Sequence, residues 1–271
     1  MRILVLGSEG QIGKPVCKFL KENGHDVIRY DIKISETHDL RVIGSPLQNE
    51  LFQECDFVYY FASDVGGAKY LEANQDSFDF IMDNIQMMET TFCLLRKYQK
   101  PFIFTSSQMA AQPHSTYGNL KLVGERFTKA LGGICVRLWN VYGKEEENEK
   151  SHVITDFIKQ AEENGKIICR TNGQEQRQFL HAEDLAKALL CLTDRYAQIN
   201  RRENIDISSF EWCSIEEIAW TCGDIFNVDY ELSNSQDENQ KNYKNEPNRK
   251  ILEFWKPSIN IREGIQKIIN E

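Results

Sequence analysis

The sequence predicts an α/β fold built on a doubly wound parallel sheet. Three observations carry this: an apolar N-terminal run that enters three closely spaced glycines, a repeated alternation of apolar runs with helix-period segments, and an acid closing the second run. Met1 to Gly7 reads as a short buried strand, and Gly7, Gly10 and Gly13 follow it. Ile12, Val16, Phe19 and Leu20 then repeat at helical spacing, with Gly24 beside His25 as a stop. Glycines between a strand and a helix let the backbone turn tightly and approach a pyrophosphate, to which the helix N-terminus offers amide donors. Asp26 to Tyr30 is a second strand ending at Asp31, eighteen residues after Gly13, where an acid meets a ribose hydroxyl. A carboxylate there repels the extra phosphate of NADP, which favours NAD.

The alternation continues beyond a less defined stretch around Asp39 and Leu40. Phe57 to Ala62 has the composition of a fully buried strand. Phe78, Ile81, Met82, Ile85 and Met88 keep a 3.6-residue period, and Pro101 blocks the helix before the strand Phe102 to Thr105. Leu120, Val123 and Phe127 mark the apolar side of the next helix, and Ile134 to Leu138 is a further strand. Beyond Tyr142 the pattern loosens. The charge run Glu145 to Lys150 and the polar stretch Ser233 to Lys250 read as solvated loops.

Bulk properties narrow the function. A chain of 271 residues can form one large domain or two small ones. Its formal charge of -9 argues against nucleic acid and an anionic membrane surface as partners, and an anionic substrate would need local basic residues. No apolar run approaches the ~20 residues of a spanning helix and nothing suggests export, so a cytoplasmic location is expected. The eight cysteines are scattered without a close pair, so no metal site is expected.

Tyr117 and Lys121 lie four residues apart, which puts phenol and ammonium on one helix face. A free tyrosine titrates near ~10, and a fixed cation beside it favours the phenolate, so the pair can form a base. The same spacing also suits an ordinary solvated face, and only the surrounding motifs separate the two.

Taken in order, Gly7, Gly10 and Gly13, Asp31, Asp39-Leu40, Ser106-Ser107, Tyr117 with Lys121, Arg137 to Gly143, Gln176 to Ala186 and a closing Trp255-Lys-Pro257 before an amphipathic helix from Ile261 to Ile269 resemble the extended short-chain dehydrogenase/reductases, the nucleotide-sugar epimerase and dehydratase family. The resemblance covers nearly the whole chain. It implies a Rossmann-type NAD-binding domain over 1–143, joined by about 171–195, and a smaller C-terminal substrate-binding region from 144–170 and 196–271. It implies Tyr117 as base, Lys121 holding the cofactor ribose and the phenolate charge, and Ser107, rather than its neighbour Ser106, bonding the reacting oxygen. Gly7, Gly10 and Gly13 would seat the pyrophosphate, Asp31 the adenine ribose, and Asp39 with Leu40 the adenine. Gln11, Ile12, Phe61 and Ala62 complete the cofactor set. Asn140 and Arg177 match positions that meet substrate phosphates, where an arginine fork suits a diphosphate. Relatives dimerise through the helices that here carry Phe78 and Tyr117, so a homodimer is expected.

The departures matter as much. The segment from Gln108 to Thr116 is shorter than in most relatives, and Gln108-Met109 replaces the acid pair of the dehydratases, which disfavours dehydration. Gly66 and Gly67 look like the double glycine of GDP-fucose synthases and GDP-mannose epimerases, where backbone approaches the sugar, though an ordinary glycine turn fits as well. Met109 stands where those enzymes carry a cysteine and cannot take a proton. His114 reads as an exposed loop residue. The expected function is therefore NAD-dependent epimerisation of a nucleotide-diphosphate sugar. A dehydrogenase, reductase or epimerase-reductase of a nucleotide-linked sugar, a GDP-linked one included, is the alternative, and a non-catalytic dinucleotide sensor the third reading.

Overall fold

A computed structural model of the protein describes residues 1–145, 150–236 and 245–270. In chain order the elements are β1 (Arg2–Leu6), α1 (Gly13–Glu22), β2 (Asp26–Tyr30), α2 (Pro46–Glu54), β3 (Phe57–Tyr60), α3 (Ala68–Asn74), α4 (Phe78–Tyr98), β4 (Phe102–Ser107), α5 (Thr116–Leu131), β5 (Ile134–Leu138) and β6 (Asn140–Tyr142). There follow α6 (Val153–Asn164), β7 (Lys166–Ile168), β8 (Gln176–Arg177), β9 (Phe179–His181), α7 (Ala182–Asp194), β10 (Ile205–Ile207), β11 (Cys213–Ser214), α8 (Ile215–Phe226), β12 (Asp229–Glu231) and α9 (Ile261–Asn270).

Six strands form one all-parallel sheet in the order β10-β5-β4-β3-β1-β2. The order reverses between β1 and β3, and a crevice for a ligand opens at such a switch. On one face Val16, Leu20, Leu185, Leu189 and Leu192, from α1 and α7, cover Ile3, Val5 and Ile103. On the other, Phe52, Met88, Phe92 and Leu95 cover Leu4, Val58 and Phe104. A smaller lobe gathers Phe157, Ile167, Ile218, Cys222 and Ile265 around Tyr142 of β6 and Phe179 of β9, and the neighbouring Val141 and Leu180 of the same two strands lie in the main core.

Three expectations are corrected. The boundary at residue 196 fails because β10 pairs with β5 and extends the main sheet. The apolar side expected for α5 faces the core only in part: Leu120 packs against it, but Val123 and Phe127 are 46% and 48% exposed. The buried side instead carries Tyr117, Gly118, Lys121, Gly124, Glu125 and Thr128, because the Phe104 ring fills the space that a side chain at 124 would need, with Cζ only 2.4 Å from an ideal Cβ. Finally, the charge run is not simply solvated. Glu145 pairs with His152 and Lys150 with Asp64, while 146–149 lie outside the described residues. Residues 237–244 of the polar stretch also lie outside them, but Asn248 beyond is anchored by its backbone N–H to Asp206.

Candidate active site

Two cavities meet above the carboxyl ends of the strands. The first, of about 1100 Å³, is lined by Gly7, Gly10, Gln11, Ile12, Gly13, Asp31, Asp39, Leu40, Phe61 and Ala62. Gly7 has φ +83°, and a Cβ on it would lie 2.6 Å from Ala62 N; one on Gly13 would lie 2.1 Å from the Gly7 carbonyl oxygen. Gly10 meets nothing in the protein closer than 3.5 Å, so its bare backbone leaves room for a ligand. Ile12, the N-cap of α1, offers no side-chain acceptor; in the first turn Lys14 N–H donates to the Gly10 carbonyl at 3.1 Å and Pro15 has no N–H, so an anion there would meet the Gly13 amide and the positive end of the helix dipole. Asp31 is held by the N–H groups of Glu9 and Lys33, each at 2.9 Å. Arg41 grips Asp39 through Nε and Nη2, and these bonds hold the Asp39 carboxyl below its ordinary value. This cradle fits a dinucleotide diphosphate.

The second cavity, of about 570 Å³, is lined by Ser107, Tyr117, Lys121, Asn140, Arg177, Gly66 and Gly67. The two share Gln11, Ile12, Phe61, Ser63, Val65, Gly66 and His152, so they are continuous. All the candidate residues therefore line one composite cleft, with Lys121 on the substrate side of it.

The ends of α5 and β4 set the reacting groups. Ser115 caps α5 by accepting the Gly118 N–H at 3.0 Å. Gln75 Oε1 accepts both the Ser115 hydroxyl at 3.2 Å and the Tyr117 N–H at 3.3 Å. Gly118 lets the turn after β4 pack against α5, since a Cβ there would lie 2.1 Å from the Met109 carbonyl oxygen. Ser107 Oγ accepts the Met109 N–H at 3.2 Å, which leaves its proton to donate into the cavity. Ser106, by contrast, is buried and donates to Glu125 at 2.7 Å.

The electrostatics correct one expectation. Lys121 Nζ lies 5.5 Å from the Tyr117 ring centroid and donates to the Thr105 carbonyl at 3.1 Å. Burial pushes the Tyr117 phenol up, with no lowering contribution from Lys121, and pushes Lys121 down to about 8. Desolvation disfavours whichever form is charged, and here it outweighs the mutual attraction anticipated from the spacing. The pair is a base in waiting, which needs further positive charge beside it.

Gly66 and Gly67 are explained by packing within the chain. A Cβ on Gly67 would lie 2.4 Å from the Ser151 carbonyl oxygen, and one on Gly66 would lie 2.9 Å from the Lys150 and Tyr70 side chains. The structure also adds residues that pattern-reading missed. His152 Nδ1 donates to Glu145 Oε1 at 2.8 Å, on the wall common to both cavities. That partnership crosses the cleft rim and leaves no periodic trace. Glu125, four residues after Lys121, was within reach of the same helical spacing that drew attention to Tyr117.

A profile of the NAD dependent epimerase/dehydratase family matches residues 3–208. The chain belongs to that family. Its cofactor is accordingly NAD, which the first cavity fits, and it is an enzyme of the family's kind. Over 99% of this chain and 97% of the relative it is 26% identical to a putative UDP-glucose 4-epimerase of Methanocaldococcus jannaschii. The UDP-glucose 4-epimerase of Thermotoga maritima, solved with UDP-glucose, superposes with a TM-score of 0.84 at 19% identity, covering 100% of this chain and 98% of that one. A GDP-D-glycero-L-gluco-heptose synthase of Campylobacter jejuni, solved in the presence of NADPH, gives 0.80 at 16% identity, covering 99% and 97%. These members share one Rossmann-type architecture. Among the described residues no cluster of potential metal ligands occurs, and no helix is long and apolar enough to cross a membrane.

Proposed function

We propose that this family member is a cytoplasmic, NAD-dependent epimerase of a nucleotide-diphosphate sugar, with Tyr117, Lys121 and Ser107 as its reacting groups. The observation that carries this reading is their convergence in one cavity continuous with the glycine-lined one. When bound, the dinucleotide supplies a hydride acceptor and a positive charge. Tyr117, as the phenolate that Lys121 stabilises, would then take the proton of the sugar hydroxyl and become the neutral phenol. Ser107, its lone pair engaged by Met109, donates to the oxygen that gains charge. Gly7, Gly10 and Gly13 hold the pyrophosphate, Asp31 the ribose, and Asp39 and Leu40 the adenine; Asn140 and Arg177 face the substrate diphosphate. Inversion needs only that the oxidised sugar present its other face before the hydride is returned to its carbon and the Tyr117 proton to its oxygen. Gln108 and Met109, which follow Ser107, provide no acid or base for dehydration.

The Glu145–His152 pair favours a second reading, an epimerase-reductase. A carboxylate-oriented imidazole on the shared wall is a second proton carrier that a simple epimerase does not need. Two measurements separate the readings. Purified protein is denatured and its released nucleotide identified: retained NAD supports the epimerase, whereas an empty site that exchanges NADH or NADPH supports the reductase. Conversion of UDP- and GDP-sugars is then compared with Tyr117→Phe, which is expected to fold and bind dinucleotide with turnover reduced ~10²-fold or more. Unchanged turnover in that variant refutes the assignment of Tyr117.

A further inference from the structure

At the end of the first cavity beside β2, next to Asp31, stands a second carboxylate, Glu9, which the proposed reaction leaves unused and which is paired with Arg29. Glu9, between Gly7 and Gly10, donates its backbone N–H to Asp31 Oδ2, which brings it directly beside the acid that faces the ribose. Its side chain turns to Arg29, whose Nε donates to Glu9 Oε1 at 2.9 Å and whose Nη2 donates to the same oxygen. Ser8 Oγ also donates to that oxygen, at 3.2 Å. The Glu9 side chain is 12% exposed and that of Arg29 41%. The bond to Glu9 is the main reason the Arg29 guanidinium is pushed further above its ordinary value.

Dinucleotide-binding folds sort their cofactors at this point. An acid at the end of the second strand accepts the ribose 2′-hydroxyl, whereas an arginine nearby accommodates a 2′-phosphate. This chain carries both, two residues apart, and Glu9 occupies the arginine. A 2′-phosphate would meet Asp31 and Glu9 together, with Arg29 already paired to Glu9 and Arg41 to Asp39. We propose that Glu9 is a specificity-determining residue that excludes 2′-phosphorylated dinucleotides by sequestering Arg29 and adding a second negative charge beside Asp31. The inference rests on the NAD assignment and says which residue enforces it. Arg29 also explains how a glutamate is tolerated in a pyrophosphate-binding loop: it draws the carboxylate toward β2 and away from the diphosphate.

Lys14, Lys18 and Lys33 also line this cavity, so the test must isolate the arginine. NADH and NADPH titrations followed by nicotinamide fluorescence are made on protein freed of co-purified nucleotide, for wild type, Glu9→Gln, Glu9→Ala, and Glu9→Ala with Arg29→Gln. Both single variants are expected to bind NADPH about tenfold more tightly, or ~1.4 kcal/mol, with the NADH constant within about threefold of wild type. The second substitution is expected to abolish the gain. Unchanged NADPH affinity in a folded Glu9 variant overturns the proposal, as does a gain that survives Arg29→Gln. Wild-type protein that is folded yet binds neither dinucleotide refutes the cofactor assignment instead.

Discussion

Replacing Glu125 by alanine removes a carboxylate at which four donors converge: Ser106 Oγ at 2.7 Å, Arg137 Nε at 2.7 Å, Arg137 Nη2 at 2.9 Å and Asn204 Nδ2 at 2.5 Å. The side chains of Glu125 and Arg137 are 2% and 21% exposed, so water cannot take over all four bonds. Breaking a buried pair from one side costs about 3–5 kcal/mol, and the partial exposure of Arg137 places this case near the lower end. At ~2–4 °C per kcal/mol for a chain of this size, the melting temperature should fall by roughly 6–12 °C. Urea unfolding of Glu125→Ala, Arg137→Met and the double variant supplies the cycle. The double variant should recover at least ~1 kcal/mol relative to the sum of the singles, because it leaves no uncompensated charge. Burial by itself would raise the Glu125 carboxyl, but hydrogen bonds from Arg137 and Ser106 outweigh it and hold the group below 4.5. A depressed folded value means that the stabilisation is complete above the ordinary carboxylate range and lost as pH falls through the folded value. The gap between wild type and Glu125→Ala should therefore narrow on acidification below about 4.5. Additive single effects, or a gap indifferent to acid, would refute the reasoning.

Lys121→Met should abolish turnover yet stabilise the fold. Burial pushes Lys121 from 10.5 to about 8, so the ammonium destabilises the folded state below pH 8 and this penalty is relieved as pH rises to 10.5. Set against one lost hydrogen bond to Thr105, the net gain at pH 7 is ~1–2 kcal/mol, and equal stability at all pH values would contradict it. The exposed Phe78, Ile85, Val123 and Phe127 on α4 and α5 support a homodimer through these helices. Light scattering should give twice the chain mass, falling to one chain mass in Val123→Arg; a monomeric wild type would rule the dimer out.

Much of the molecule was legible along the chain because its cofactor-binding half is built from consecutive local units. Strand, glycines, helix and strand from Arg2 to Tyr30 each announce themselves by period or by a backbone requirement, and Gly7 with its positive φ shows the requirement directly. The apolar side of α5 was misread for a physical reason. Periodicity reports that a helix has an apolar face, but close packing on Phe104 demanded small and polar-networked residues at 124, 125 and 128, and Val123 and Phe127 were left outward. The Gly66-Gly67 pair was legible as tight backbone. The sequence could not show that the tightness comes from Ser151.

By itself the sequence determined the parallel α/β architecture and the dinucleotide cradle, which follow from local spacing and backbone geometry, while its resemblance to the family singled out Tyr117, Lys121 and Ser107 as candidates. Only the tertiary structure decided which serine is free to act, which carboxylate holds which cation, and that burial shifts the Tyr117 phenol up and the Lys121 ammonium down. Glu125, Arg137 and Asn204, like Glu145 with His152 or Glu9 with Arg29, meet across distances in sequence that no period spans. Protonation depends on desolvation and on every neighbouring charge, and burial reaches its final value only when the elements have packed.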